Sequence, residues 1–251
     1  MLLTGLSPRA RGDEKTRIAL DWLYRWGWSS PSVLDLTTGG TRSNLVQKLI
    51  KNQLVKSTRT QAGGGIKGVP SQMLTLTSFG IEQAEARSET LIPYEIDPYR
   101  INQSLLRHDE IMQRATAQAI KNKIIINFKT PRELAIASEK EIKQPDAIWI
   151  ENNGARVGIE VELSAKWERK LDQFVRSCLT SLLPNSSPTY RVDKIYLISD
   201  SKAIIKRYDA AFEPGQLLTT WEKDERGIWK IKEKNKVPEW AEGKIVCHLI
   251  E

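Results

Sequence analysis

The chain has few of the residues that build disulfides or zinc sites. Its 251 residues include two cysteines, Cys178 and Cys247, and two histidines, His108 and His248. Two cysteines do not make a disulfide framework, so a cytoplasmic protein is expected. The four residues are scattered along the chain, which argues against a zinc site and against a His-hydrophobic-His metal motif.

Long apolar runs are also missing. No stretch of ~18 apolar residues occurs, so we expect no membrane span and no membrane partner. The first residues lack a basic leader followed by an apolar core, so we expect no signal peptide. No glycine-rich loop ends in Gly-Lys-Ser or Gly-Lys-Thr, which argues against a nucleotide-binding P-loop.

Acidic residues are absent from the segment between Asp35 and Glu82. Residues 1–80 contain 11 basic and 4 acidic residues, whereas residues 81–251 contain 27 of each, so the net charge of +7 comes entirely from the first third. A basic segment on a neutral body favours a polyanionic partner, most simply double-stranded DNA. The alternative is a solvated basic face.

The order of elements in this basic segment resembles a winged helix-turn-helix domain at residues 14–88. Residues 1–13 are expected to be disordered, and apolar spacing predicts a helix from Lys15 to Trp26. A short helix, a glycine turn and a third helix over 42–52 follow. Two strands around the glycine-rich loop 62–68 would form the wing, and a last helix would close the domain.

This resemblance places the third helix in the major groove of DNA and the wing against the phosphates. We therefore predict two groups of DNA-binding residues. The outward side of the third helix provides Arg42, Ser43, Asn44, Gln47 and Lys48, and the wing provides Lys56, Arg59 and Lys67.

Residues 89–101 contain Pro93 and Pro98 with little periodicity, and are interpreted as a linker. Residues 102–212 predict a long helix, strands, a capping box at Thr130–Glu133 and a buried strand over 194–198. Residues 213–251 are interpreted as a β-rich extension. The predicted protein is thus a two-domain α+β or α/β chain whose second domain has a mixed sheet flanked by helices.

The segment from Asp146 to Lys166 carries the clearest chemistry. Glu160 and Glu162 alternate with Ile159, Val161 and Leu163, so both carboxylates share one face of a strand. Asp146 would enter from the neighbouring strand and Lys166 from the first turn of the next helix. Carboxylates bind Mg²⁺ or Mn²⁺, which activates water, and a lysine offsets charge on a phosphate. The alternative to a metal site is that these carboxylates simply lie on the solvated face of a half-buried sheet.

The strand pairing decides whether these groups can meet. A two-residue turn at Asn153-Gly154 would put Asp146 opposite Val161, on the face away from Glu160. A three-residue loop of Asn152, Asn153 and Gly154 would put Asp146 opposite Glu160, on the same face. A metal site requires the second register.

These residues resemble the PD-(D/E)xK nucleases, whose core is like that of restriction endonucleases. The resemblance implies that Asp146 and Glu160 ligate the metal and that Asp146, Glu160, Glu162 and Lys166 are catalytic. In that family a lysine follows the glutamate by two positions, whereas this chain has Glu162 there. Whether Lys166, Lys170 or Glu162 fills the third role stays open.

The combination of both domains resembles the plasmid replication-relaxation family, including the MobC-type mobilisation relaxases. The matching residues include His108, Glu133, Pro145-Asp146-Ala147, the segment 160–164 with Lys166 and Lys170, and the segment 195–200. The resemblance implies a divalent-metal-dependent endonuclease that binds a plasmid transfer origin and nicks one strand. It also allows other proteins of a transfer complex as partners.

Several alternatives stay open. A DNA-binding regulator or accessory protein with an inactive nuclease-like core would keep the basic domain and need no metal. A structural partner of a transfer complex would dock through 213–251. We interpret His108 as structural, and favour an activated water as nucleophile over Tyr190, Tyr196 or Tyr208. The DNA sequence, the oligomeric state and a hydrolytic or covalent course of cleavage are not fixed by these patterns.

Overall fold

A computed structural model describes residues 7–40, 44–137 and 143–250 of the chain. It divides into two compact units, Met1–Ile136 and Ala137–Glu251. The protein is α+β, and its main sheet is mixed and flanked by helices.

The first unit contains the helical elements and the hairpin predicted for the basic segment, followed by further elements. They are α1 (Pro8–Trp26), α2 (Pro31–Thr38), α3 (Leu45–Lys51), β1 (Val55–Arg59), β2 (Gln72–Leu76), α4 (Ser78–Glu85), α5 (Leu106–Lys121), β3 (Ile125–Lys129) and α6 (Pro131–Ile136). Single 3-10 turns at Pro98–Arg100 and Gln103–Leu105 precede α5. The strands β1 and β2 pair antiparallel.

Hydroxyl caps set where these helices begin. Ser7, Ser30 and Thr77 each accept a hydrogen bond from a backbone N–H in the first turn of α1, α2 and α4. Ser7 is followed by Pro8 at the first helical position, a favourable start for a helix. The expected disorder of residues 1–13 is therefore wrong for 8–13, which belong to α1.

The segment 89–101 is held firmly within the first unit. The Tyr24 hydroxyl accepts a hydrogen bond from Ile92 N at 2.8 Å. The Tyr94 hydroxyl donates to Gly27 O at 2.6 Å and accepts from Leu76 N at 2.9 Å. The division of the chain thus falls after Ile136 rather than at the predicted linker, and residues 102–136 group with the basic segment.

The predicted capping box at the start of α6 is confirmed. Thr130 N donates to Glu133 Oε2 at 2.7 Å, and Glu133 N donates to Thr130 Oγ1 at 3.2 Å. Glu133 also forms an ion pair with Arg25 of α1 at 3.1 Å. The Glu133 carboxylate therefore caps α6 and also bonds a side chain of α1. The long helix α5 begins at Leu106, and Leu105, in the 3-10 turn before it, is exposed.

The second unit is built from strands and helices in alternation, followed by a hairpin and a last strand. They are β4 (Ala147–Glu151), β5 (Arg156–Val161), α7 (Glu168–Ser181), β6 (Lys194–Ser199), α8 (Lys202–Phe212), β7 (Leu217–Lys223), β8 (Trp229–Lys236) and β9 (Ile245–Leu249). Four of these strands belong to the main sheet, in the order β4-β5-β6-β9.

The sheet is mixed because its connections differ in length. A tight turn joins β4 to β5 antiparallel, whereas α7 connects β5 to β6 and lets them run parallel. The strands β6 and β9 are also parallel. The β-rich character predicted for 213–251 is confirmed, and β9 adds to the main sheet. No helix in the described ranges is both long and apolar enough to cross a membrane.

Candidate functional site

The loop between β4 and β5 has the three-residue form that a metal site requires. Glu151 N donates to Ala155 O at 2.9 Å, and Gly154 N donates to Glu151 O at 2.9 Å. Gly154 has φ 83°, a left-handed conformation that glycine adopts without steric cost. The register pairs Ala147 with Ile159, as the three-residue loop predicts. The regular pairing ends there, because Asp146 N also bonds Ile159 O, one residue out of step with that register.

Asp146 lies just before β4 and is fixed by the backbone of β5. Its N–H donates to Ile159 O at 3.0 Å, and its Oδ2 accepts a hydrogen bond from Val161 N at 2.8 Å. The first bond fixes the backbone of Asp146 just before β4, and the second orients its carboxylate towards the N–H of the residue that follows Glu160.

Glu160 is 5 % exposed and pairs with Lys143, a residue that the sequence analysis missed. Burial raises the pKa of Glu160 to about 7, with Lys143 opposing the rise and Asp146 adding to it. Burial by itself would lower the pKa of Lys143, but the charges of Glu160 and Asp146 raise it above its ordinary value. The ammonium of Lys143 therefore pairs with Glu160, and the charge of Asp146 adds to its stabilisation.

Glu162 forms a second acid–lysine pair at the end of β5. It is 6 % exposed, its Oε1 contacts Lys166 Nζ, and its Oε2 accepts a hydrogen bond from the Tyr208 hydroxyl at 3.1 Å. Burial and the charge of Glu162 raise the pKa of Tyr208, which disfavours a tyrosinate nucleophile there. The Glu-x-Glu pattern is not a solvated face, because both carboxylates are buried.

Lys166 reaches this site from an extended segment. The helix α7 begins at Glu168, so the prediction that Lys166 lies in its first turn is wrong. The ammonium lies 4.5 Å from the centre of the Phe174 ring, and that of Lys143 lies 5.2 Å from the same ring. Phe174 therefore positions two lysines next to two buried carboxylates.

Hard oxygen donors suit the expected Mg²⁺ or Mn²⁺. Mg²⁺ is commonly held by one or two carboxylates together with waters and a substrate phosphate. Asp146 and Glu160 would supply two carboxylates, and a cation on Glu160 would take the place that the Lys143 ammonium has in this structure. A group of three or more His, Cys, Asp or Glu residues that could hold a metal ion does not occur in the described ranges.

A small cavity lies behind Glu160. Its volume is about 10 Å³, and Lys143, Cys178 and Tyr190 contribute to its walls. Burial raises the pKa of the Cys178 thiol well above its ordinary value, so it is a packed thiol and a poor nucleophile. Tyr190 is buried as well. Room for one water at most remains on this side.

The predicted DNA-binding face of α3 is exposed over the described part of the helix. Asn44, Gln47 and Lys48 are exposed, whereas Leu45 and Leu49 are buried on the opposite side. Lys51 lies one helical turn further along the same exposed face, and it was not among the predicted DNA-binding residues. Arg42 and Ser43 lie outside the described residues.

The hairpin provides a second group of exposed cations. Lys56 and Arg59 lie on β1, and Lys67 lies in the glycine-rich loop. The guanidinium of Arg59 lies over Gly63, where an added Cβ would meet it at 3.0 Å, so this glycine lets the arginine fold back along the hairpin. No carboxylate of the described residues pairs with these cations or with Lys48 and Lys51, which leaves their charges available to an anionic partner.

His108 contacts the carboxylate that follows it in the chain. Its Nδ1 lies 3.1 Å from Asp109 Oδ1, while Asp109 Oδ2 accepts a hydrogen bond from Trp28 Nε1 at 3.3 Å. Both residues belong to the first unit, whereas the carboxylates of β5 belong to the second. Comparisons with protein-family models, with curated proteins and with solved structures found no match to this chain.

Proposed function

We propose that this protein binds double-stranded DNA through α3 and the β1–β2 hairpin and cleaves one DNA strand at the acid–lysine site of β5. The observation that carries the proposal is the buried Glu160 paired with Lys143, next to Asp146, whose carboxylate bonds Val161 N. Two carboxylates and two lysines next to each other suit the cleavage of a phosphodiester.

Each side chain has a defined task in this proposal. Asp146 and Glu160 would hold a divalent cation, which when bound supplies an activated water and a Lewis acid. Lys143 and Lys166 offer ammonium donors to a phosphate oxygen, where charge develops during cleavage. Tyr208 fixes the orientation of Glu162 through its hydroxyl.

The basic surface supports DNA as the substrate. It combines a helix whose exposed stripe carries amide and lysine side chains with a glycine-rich hairpin that carries further cations. Amide and basic side chains on a helix can read base edges, and hairpin cations bind phosphates. A plasmid transfer origin as the natural site, with nicking of the kind that mobilisation relaxases perform, is the form of this proposal that the sequence resemblance favours.

The test is nicking of supercoiled plasmid with and without Mn²⁺ or Mg²⁺. Asp146→Asn and Glu160→Gln keep the side-chain shape but remove the charge, so each is expected to reduce metal-dependent nicking to background while duplex binding persists. Glu151→Gln is the matched control, because Glu151 lies on the same sheet in β4 and bonds the Tyr196 hydroxyl. Wild-type nicking by Asp146→Asn would refute the site.

A second candidate is a DNA-binding regulator with an inactive core. The observation that favours it is that Glu160 and Glu162 are each already neutralised by a lysine, as in a structural ion pair. In that case the wild-type protein binds duplex DNA, Mn²⁺ changes neither binding nor plasmid topology, and Glu160→Gln behaves like the wild type.

A further inference from the structure

Two stacks of cationic and aromatic side chains lie on the surface of the second unit. The guanidinium of Arg207 lies 3.6 Å from the ring centre of Trp167, which is 64 % exposed. Arg169 and Lys223 lie 4.2 and 5.3 Å from the ring of Trp229, which is 37 % exposed. We call these five residues the tryptophan–arginine surface.

This surface adjoins the acid–lysine site. Trp167 directly follows Lys166, whose ammonium pairs with Glu162. Arg207 Nε donates to the carbonyl oxygen of Lys166 at 2.8 Å, so the same arginine holds the backbone of the site and stacks on Trp167. Trp167 is extended, and α7 begins only after it. A ligand on Trp167 would therefore lie next to the candidate catalytic groups.

The charge around the two stacks is positive. Four basic residues are exposed or half-buried there: Arg169 and Lys170 in the first turn of α7, and Lys206 and Arg207 in the second turn of α8. No carboxylate of the described residues lies within ion-pair distance of any of the four. Surface arginines that stack on tryptophan while their charge stays uncompensated attract an anionic partner that also has flat rings.

A groove of about 500 Å³ opens beside the first stack. Glu168, Asp172 and Arg207 lie at its wall, and Leu171 and Val175 of α7 and Leu218 of β7 form its apolar part. The volume falls in the usual range of ligand sites. Flat apolar groups can enter this groove while the charged parts of the same molecule remain among the surrounding cations.

We propose that the tryptophan–arginine surface binds unpaired nucleotides of a nucleic-acid strand. Bases stack on Trp167 and Trp229, and the arginines and lysines contact the phosphates. Unpaired bases expose the ring faces that the indoles require, whereas a duplex keeps those faces stacked inside. This inference adds a binding surface to the proposed cleavage site. It rests on the proposed function in one respect only, namely that the strand bound here is the strand presented to Glu162 and Lys166.

The test measures the binding of a fluorescein-labelled 20-nucleotide oligothymidine by fluorescence anisotropy, with the full chain and with EDTA present. Lys48→Ala/Lys51→Ala serves as the background, so that α3 contributes little. Trp167→Ala is expected to weaken binding about tenfold, and Trp167→Phe to retain most of it. Trp240→Ala is the matched control, since Trp240 is 41 % exposed and carries Lys244 over its ring at 5.5 Å.

The outcomes separate the proposals. Equal affinity of Trp167→Ala and Trp240→Ala for oligothymidine would overturn the inference. Competition by polyglutamate as strong as that by unlabelled oligothymidine would also overturn it, because it would indicate an acidic protein partner. Because EDTA removes divalent metal, binding is measured without cleavage. A protein that fails to nick plasmid with Mn²⁺ but loses oligothymidine binding through Trp167→Ala would refute the proposed cleavage and leave this inference standing.

Discussion

At the residue scale, the site depends on the balance between buried carboxylates and lysines. Glu160 is buried and has Lys143 as its partner, while Glu162 has Lys166. Each carboxylate has an ammonium in contact with it, so neither is an isolated buried group. Removing a single partner from such a pair leaves an uncompensated charge, which costs much more than removing both.

Lys143→Met is therefore expected to reduce the free energy of unfolding by about 3 kcal/mol in metal-free buffer. The double variant Lys143→Met/Glu160→Gln removes the orphaned charge and should recover most of that loss. Urea unfolding followed by tryptophan fluorescence measures both. A double variant as unstable as the single one would show that lost packing of the lysine stem, and not charge, is responsible.

The residues of the site differ in how far the sequence predicts them. The alternation around Glu160 and Glu162 predicts one face for both, and the loop Asn152–Gly154 predicts the register that pairs Ala147 with Ile159. Lys143 was missed because it precedes Pro145 outside any periodic segment, and its partner is 17 positions away. A long-range ion pair of this kind has no local signature.

At the element scale, one close backbone approach fixes α4 against the start of β1. A Cβ on Gly80 would lie 2.0 Å from the carbonyl oxygen of Leu54, which cannot move aside because it accepts a hydrogen bond from Thr77 N. The helix therefore requires glycine in its first turn. The sequence predicted a helix here, but its start was placed at Ile81, and periodicity carries no information on such close approaches.

Gly80→Ala is expected to destabilise the protein by about 3 kcal/mol, through overpacking against a fixed carbonyl. Gly12→Ala provides the control within α1, because a Cβ there meets only Lys48 Nζ at an ordinary 3.7 Å. That change should stabilise the helix by about 0.5–1 kcal/mol. Thermal melts followed by circular dichroism distinguish the two, and equal melting temperatures would contradict the prediction.

The helix α3 allows a second prediction at this scale. Replacing Lys48 and Lys51 with alanine should weaken duplex binding and lower the slope of log K against log salt by ~0.9 for each phosphate that is no longer neutralised. Lys121→Ala/Lys129→Ala is the control, because it removes two exposed lysines of the same unit from other elements. The same reduction of slope in both double variants would mean that binding is not localised on α3.

At the scale of the whole molecule, the basic segment and α5 form one folding unit. Gln113 of α5 is fully buried, accepts a hydrogen bond from Trp22 Nε1 at 3.0 Å and donates to Trp28 O at 3.0 Å. Trp22 and Trp26 also pack against the Phe128 ring. The predicted domain of residues 14–88 would lack these partners, since they come from distant parts of the sequence.

A fragment of residues 1–136 is therefore expected to unfold cooperatively and to bind duplex DNA with most of the affinity of the full chain. A fragment of residues 1–88 should not fold stably at 25 °C, because it would expose Trp22, Trp28 and Met73. Circular dichroism and anisotropy with a duplex probe test both fragments. Cooperative unfolding of the shorter fragment would contradict this grouping of elements.

The parallel pairing of β6 with β9 affects the rate at which the protein folds. Between the two strands the chain forms α8 and the whole β7–β8 hairpin before β9 adds to the edge of β6. Such non-local pairing slows folding, because the entropy of closing a long loop is lost before the strands bond. Until β9 arrives, β6 presents unpaired backbone groups to any strand nearby. We therefore expect aggregation during refolding to increase with protein concentration. Deletion of 245–249 should leave the edge of β6 unpaired in the folded protein as well, so that aggregation continues after refolding.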